Sequence, residues 1–326
     1  QAELDPPSHG GKRVDYYVAA QDLLGHYLAA GVAESPVYSV IGDYDTPWLA
    51  VAPAEFATLE LGEAGTNLAF AVANLAGPDL VWTARVAAAA AAFAAAGPGW
   101  SHSGVNDKWC VTTNRTWNGD QVWYCGDPAK RLYPADSHAK LDTPPFRVGQ
   151  GGGLLWRQWF KSEADQVRYY WDGAVIRVSS DGGVTFALAT PYGGYPFLIS
   201  PNPASPFAAG HPCLAGDGEG WQTMMLDLAA YAGREVIVRF EFGSDSYVND
   251  EGWYVAGVTP FSLDEPVPPW FSRQGAWQGV LPDTWSAPVA FGILPENIAP
   301  HEEVAAVIRV ESNDPLSAPL LPVTVR

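Results

Sequence analysis

Four carboxylate or amide side chains, Asp245, Asn249, Asp250 and Glu251, fall within the eight residues from Ser244 to Glu251. Carboxylate and amide oxygens crowded into one loop suit a hard cation such as Ca²⁺, which takes about six to eight oxygen ligands. A merely solvated acidic loop has the same composition, so both readings stand at this level. A second piece of chemistry is covalent. Cys110 and Cys125 are flanked by Trp109, Trp123 and Tyr124, as on neighbouring strands. A disulfide between them is the expectation in an oxidising compartment, and two buried thiols are the alternative. Cys213 has no evident partner. Catalytic patterns are missing. No HExxH occurs, and the six histidines are scattered without ligand spacing. No GxSxG elbow, Walker loop or dinucleotide fingerprint is found, and Gly149 to Gly153 reads as a turn. The acids cluster in loops such as Asp217 to Glu219 and Asp245 to Glu251, which suits metal or solvent better than the paired carboxylates of glycoside hydrolysis. The chain is therefore expected not to be an enzyme.

The elements that position these groups read as strands. In Arg234 to Phe242, Val236, Val238, Phe240 and Phe242 alternate against Ile237, Arg239 and Glu241, the period of a strand with one buried face. The 33 Gly and 28 Pro supply turns for many short strands, and the 14 Trp, 14 Tyr and 13 Phe supply large cores. Fold class is all-β. Aromatics in the Pro/Gly-rich loop Tyr192, Tyr195 and Phe197 are expected to be exposed and to form a ligand-binding loop. Ala87 to Ala96, ended by Gly97-Pro98-Gly99, reads as a short helix or a linker. Residues 1–34 read as an arm. Its alternating Val14, Tyr16 and Val18 are candidates for a strand added to a neighbouring molecule, a route to self-association. The net charge of −18 speaks against nucleic acid and anionic membranes as partners. No apolar run of about 18 residues exists, so no membrane-spanning helix is expected. Gln1-Ala2-Glu3 reads as the start of a mature secreted chain.

Several segments carry family resemblances. Thr46 to Val72, Leu80 to Val86 and Ile293 to Arg326, with Arg309 to Pro315 as a closing hairpin, resemble bacterial immunoglobulin-like repeats. Each copy is incomplete. Two degenerate domains, one domain split by an insertion, and folds completed by another subunit all remain open. Trp100 to about Ser262 resembles the MAM-like jelly-roll module of immune inhibitor A type secreted metallopeptidases and of cleaved adhesin domains. The resemblance is carried by Tyr124-Cys125-Gly126, Thr143-Pro144, Val175 to Phe186 and Asp227 to Asp245. It implies a central jelly-roll β-sandwich over 100–262. Around it lie an arm over 1–34, an Ig-like segment with an Ala-rich linker over 35–99 and a second Ig-like segment over 263–326. It further implies Ca²⁺ bound by carboxylates at strand ends, with Glu163, Asp165, Asp172 and Asp245 on the family's acidic positions. One departure stands out. Ala256-Gly257 occupy the place of an aspartate pair, so Asn249, Asp250 and Glu251 are candidates to rebuild the ligand set. The implied role is a non-catalytic structural or adhesive protein outside the cell, partnered by itself, another surface protein or a glycan. The alternative is a Ca²⁺-stabilised ancillary binding region of a secreted hydrolase.

Overall fold

The structure, a computed structural model, describes residues 19–21, 27–29, 46–54, 56, 58–59, 65–166, 168–201, 205–299, 302–315 and 317–326. The arm residues Val14, Tyr16 and Val18 lie outside the described residues. The chain is all-β, with two-sheet sandwiches as its architecture. It divides into two compact units, one made of 1–86 and 267–326, the other of 87–266.

The first unit draws each of its sheets from both ends of the chain. In one, Phe271–Gln274, Ser286–Ile293, Thr66–Asn74 and Leu49–Ala52 lie side by side. The other places Gln278–Leu281, Leu80–Ala89, Val304–Ser312 and Leu320–Val325 in order. Between them Phe70, Val72, Trp82, Trp277, Phe291, Ile308 and Val323 form one apolar core. Polar groups also join the two ends of the chain. Asp314, in the closing hairpin, accepts from the Leu49 N–H at 2.9 Å, and the Asn74 amide donates to the Leu281 carbonyl at 3.1 Å.

In the second unit, one sheet runs Ala187–Ala189, Gly173–Ser179, Glu235–Gly243, His138–Asp142, Ser101–Val105, with Phe146–Arg147 added beside Glu235–Gly243. The other runs Gln222–Asp227, Gly153–Lys161, Gly252–Ser262, Asp120–Cys125, Trp109–Trp117. The alternating strand behaves as its sequence requires: Val236, Val238, Phe240 and Phe242 meet Trp156, Phe160 and Trp253 in the core. Gly252 opens its strand at φ +102, where a Cβ would sit 2.5 Å from the Cys125 carbonyl oxygen, so a larger residue cannot stand there. The Ala run does not form a helix. Ala87, Ala88 and Ala89 complete the strand Leu80–Ala89, and Ala88 and Ala89 pair with Ser262 and Phe261. Sheet pairing outweighs the helix preference of alanine, which is worth less than about 1 kcal/mol per residue.

Candidate metal centre

Strand register builds the site. Gly173 pairs with Gly243 where two antiparallel strands meet, which brings Asp172, just before the first, against Asp245, just after the second. The Asp245 N–H donates to Asp172 Oδ1 at 2.7 Å. Glu163 follows the end of Gly153–Lys161 and is fixed through its backbone: its N–H donates to the Tyr133 hydroxyl at 3.1 Å, and its carbonyl accepts from Trp171 at 3.0 Å. Glu163, Asp172 and Asp245 each offer a carboxylate oxygen, and these lie within 4.8 Å of one another. Asp172 and Asp245 are 0% and 2% exposed.

Three carboxylates this close, two of them shut away from water, repel one another. Burial pushes Asp172 up to about 7, and the charges of Asp245 and Glu163 add to the shift. The Tyr133 hydroxyl, donating to Oδ2 at 2.6 Å, and the Asp245 N–H act in the opposite direction. Glu163 is raised too, first by burial and then by Asp245. Two further oxygens are left over: Glu163 Oε2 and Asn249 Oδ1 are buried and have no hydrogen-bond partner. Asn249 directly follows Val248, whose N–H acts on the Glu163 carboxylate. An all-oxygen set of three carboxylates with a spare buried acceptor on Glu163 fits a hard divalent cation such as Ca²⁺, which would offset the repulsion and use the orphaned oxygen. Glu163, Asp172 and Asp245 would hold the cation.

The remaining candidate ligands are placed elsewhere. Asp165 is exposed and accepts from the Ser200 hydroxyl. Asp250 pairs with Lys161 at 2.8 Å. Glu251 takes a forked pair of bonds from Arg115 at 2.8 and 2.7 Å, one from Arg131 at 2.7 Å and one from the Tyr254 hydroxyl at 3.0 Å. Burial alone would raise Glu251, but these donors outweigh it and hold its carboxyl below the usual range. Arg115 also lies 3.5 Å over the Trp159 ring, and Tyr124 stacks on Tyr254 at 4.2 Å. Glu251 is thus the centre of a charged and aromatic knot on the outer face of the sheet.

Two expectations are corrected. No Cys110–Cys125 disulfide forms, and both thiols are free. Cys125 stands opposite Trp109, and Cys110 opposite Tyr124. That offset of one residue sends the two side chains to opposite faces of the sheet. Cys125 lies in the main core, and burial pushes its thiol up, whereas Cys110 packs with the outer cluster. In the aromatic loop, Tyr195 and Phe197 pack inward. The Tyr195 hydroxyl accepts from the Ile176 N–H at 2.9 Å and donates to the Ala189 carbonyl at 2.7 Å, and Phe197 packs on Tyr170 with ring centroids 4.6 Å apart. Tyr192 stays exposed. Tyr133 is the residue that sequence reasoning missed. It sits in a loop without periodicity, next to Pro134, and carries no pattern that marks it as a ligand holder.

No protein-family model matches the chain. Bacillopeptidase F of Bacillus subtilis (strain 168) is 24% identical over 173 residues, 51% of this chain and 10% of that protein, so the match spans about a tenth of its length. Among solved structures, the K3 cleaved adhesin domain of Lys-gingipain from Porphyromonas gingivalis w83 is similar over 50% of this chain and 91% of that one, with 16% identity and a TM-score of 0.28. A carbohydrate-binding module of the β-sandwich superfamily is similar over 65% and 96%, with 9% identity and a TM-score of 0.32. The glycoside hydrolase domain of Endo-D from Streptococcus pneumoniae R6 is similar over 69% and 36%, with 10% identity and a TM-score of 0.30. At these TM-scores the likenesses carry no argument about ligand or activity.

Proposed function

We propose that the chain is a calcium-stabilised, non-catalytic β-sandwich protein that binds or adheres outside the cell. The observation that carries this reading is the cluster of Glu163, Asp172 and Asp245, the two aspartates buried, with a spare buried acceptor on Glu163. A bound Ca²⁺ ties three separate segments at one end of the second unit, a structural task that needs no reacting group. Measuring melting temperature in 1 mM Ca²⁺ and in EDTA tests it. A ligand held only by the folded state stabilises by about 2.7 kcal/mol at a hundredfold excess over its Kd. A melting rise of several degrees is expected, with little response to Mg²⁺, which demands a smaller octahedral site. Equal melting in Ca²⁺ and EDTA overturns the reading.

A second reading is favoured by the identity with Bacillopeptidase F over 173 residues. In it, the chain is an ancillary region beside a secreted peptidase and attaches that enzyme to protein or glycan. Purified chain that cleaves a casein substrate by itself would count against both readings.

A further inference from the structure

One hydroxyl touches two of the three segments that carry the carboxylates. Tyr133 Oη donates to Asp172 Oδ2 at 2.6 Å and accepts from the Glu163 N–H at 3.1 Å. A phenol has one proton to give and lone pairs to receive, and here both functions end on the cluster. Asp172 is then held at both oxygens, since its Oδ1 accepts from the Asp245 N–H at 2.7 Å. Each of these oxygens keeps a further lone pair, so the clamp leaves the carboxylate able to bind a cation. The hydroxyl itself is fixed in place. Tyr133 is buried, and its ring stands edge-on to Phe242 with centroids 5.0 Å apart. The ring also lies against Gly252, where a Cβ would come 3.4 Å from Tyr133 Cδ1. The Tyr133 N–H donates to the Asp250 carbonyl at 3.1 Å.

We infer that Tyr133 is the positioning residue of the cation site: its hydroxyl sets Asp172 against the Glu163 segment in advance, so that a cation meets ligands already gathered. The inference rests on the calcium reading above. Carboxylates left to themselves repel and spread apart. Holding them together before binding removes that rearrangement from the cost of binding. This role differs from filling the core. A ring packed on Phe242 and Gly252 needs no hydroxyl to occupy its space, and phenylalanine would occupy it without a polar group to satisfy. Tyr195 supplies the contrast within the same unit. Its hydroxyl also takes one N–H and gives one proton, but to the backbone of Ile176 and Ala189, neither of which belongs to the cluster.

Calorimetric titration of Ca²⁺ into the metal-free full chain tests the inference, beside the variants Tyr133→Phe and Tyr195→Phe. Tyr133→Phe is expected to raise the Ca²⁺ Kd by about 10–100-fold, the usual effect of removing a group that orients a metal ligand. Tyr195→Phe, which loses a hydroxyl of the same kind, should leave the Kd unchanged. Tb³⁺, which takes the same oxygen ligands as Ca²⁺, gives a spectroscopic signature, because its emission lifetime in H₂O and D₂O counts the waters it keeps. That count should rise in Tyr133→Phe, where the ligands are no longer gathered, and stay constant in Tyr195→Phe. Should metal-free Tyr133→Phe be unfolded, its refolding by added Ca²⁺ reads the same affinity. An unchanged Kd or water count in Tyr133→Phe, or an equal rise in Tyr195→Phe, overturns this inference alone. A chain that takes up neither Ca²⁺ nor Tb³⁺ fails the calcium reading, and the inference falls with it.

Discussion

Asp172 is a carboxylate shut away from water and held by two neutral donors, the Tyr133 hydroxyl and the Asp245 N–H. Without a cation, the favoured way to relieve it is a proton, which is why its carboxyl is pushed up to about 7. An acid whose value is raised by folding stabilises the folded state when protonated and costs stability once ionised. Metal-free protein is therefore expected to gain stability as pH falls from 8 to 5. A tenfold change in proton affinity is worth about 1.4 kcal/mol, so the gain is on the order of 2–4 kcal/mol. Saturating Ca²⁺ should flatten this slope by replacing the proton. Asp172→Asn should flatten it as well and remove the melting response to Ca²⁺. Urea titrations at pH 5, 6, 7 and 8 in EDTA read this out, and a slope of the opposite sign refutes the assignment. Asp245 was legible from its acidic loop, and Asp172 and Glu163 only from a family resemblance. Proximity of the three depends on strand register, which no single segment encodes.

At the scale of the element, Glu251 shows how a strand is anchored on its outer face. It stands just before Gly252–Ser262 and binds Arg115 of Trp109–Trp117, a strand whose pairing slips between Thr112 and Trp117. With Arg131 and Tyr254 on the same carboxylate, removal of its charge leaves two guanidiniums short of a partner. Glu251→Gln is expected to cost about 1–3 kcal/mol at pH 7, measured by urea denaturation. Glu265→Gln, at an exposed position, should be near neutral and serves as the control. Because the Glu251 carboxyl is held below its usual range, its contribution is present above about pH 4.5 and fades as pH falls below that. Loss of less than about 0.5 kcal/mol, the range of ordinary surface substitutions, would mean that the knot contributes nothing to stability. Strands with one buried face were readable, as Glu235–Gly243 shows. Gly153–Lys161 has eight buried residues in succession because apolar and aromatic groups cover both of its faces, so its period-2 signal disappears. The cysteine pair misled for a related reason. Closeness in sequence suggested neighbouring strands, but only register decides which face each side chain takes.

At the scale of the molecule, one of the two cores is built from an interrupted stretch of chain. Thr66–Asn74 pairs with Ser286–Ile293, and Leu80–Ala89 with Gln278–Leu281, across about 200 residues of intervening sequence. The repeat-like motifs at the two ends were visible in sequence. Their assembly into one unit was not, since the apolar faces of each half are compatible with self-pairing, cross-pairing or another subunit. Each unit has its own apolar cluster, which gives each the means to unfold as a cooperative block. Calorimetry of the full chain is thus expected to resolve two transitions. Glu163, Asp172 and Asp245 all belong to 87–266, so Ca²⁺ should raise one transition and leave the other within about 1 °C. The unit formed by the two ends contains long-range polar ties such as Leu49 to Asp314. Asp314→Ala should leave the Leu49 N–H buried without its acceptor, at a cost of about 1–3 kcal/mol. The transition that ignores Ca²⁺ should drop by several degrees, and the Ca²⁺-sensitive one should stay where it was. If Asp314→Ala instead lowers both transitions equally, or if Ca²⁺ moves both together, the two units melt as a single body and the division at residues 86 and 267 is not an energetic one.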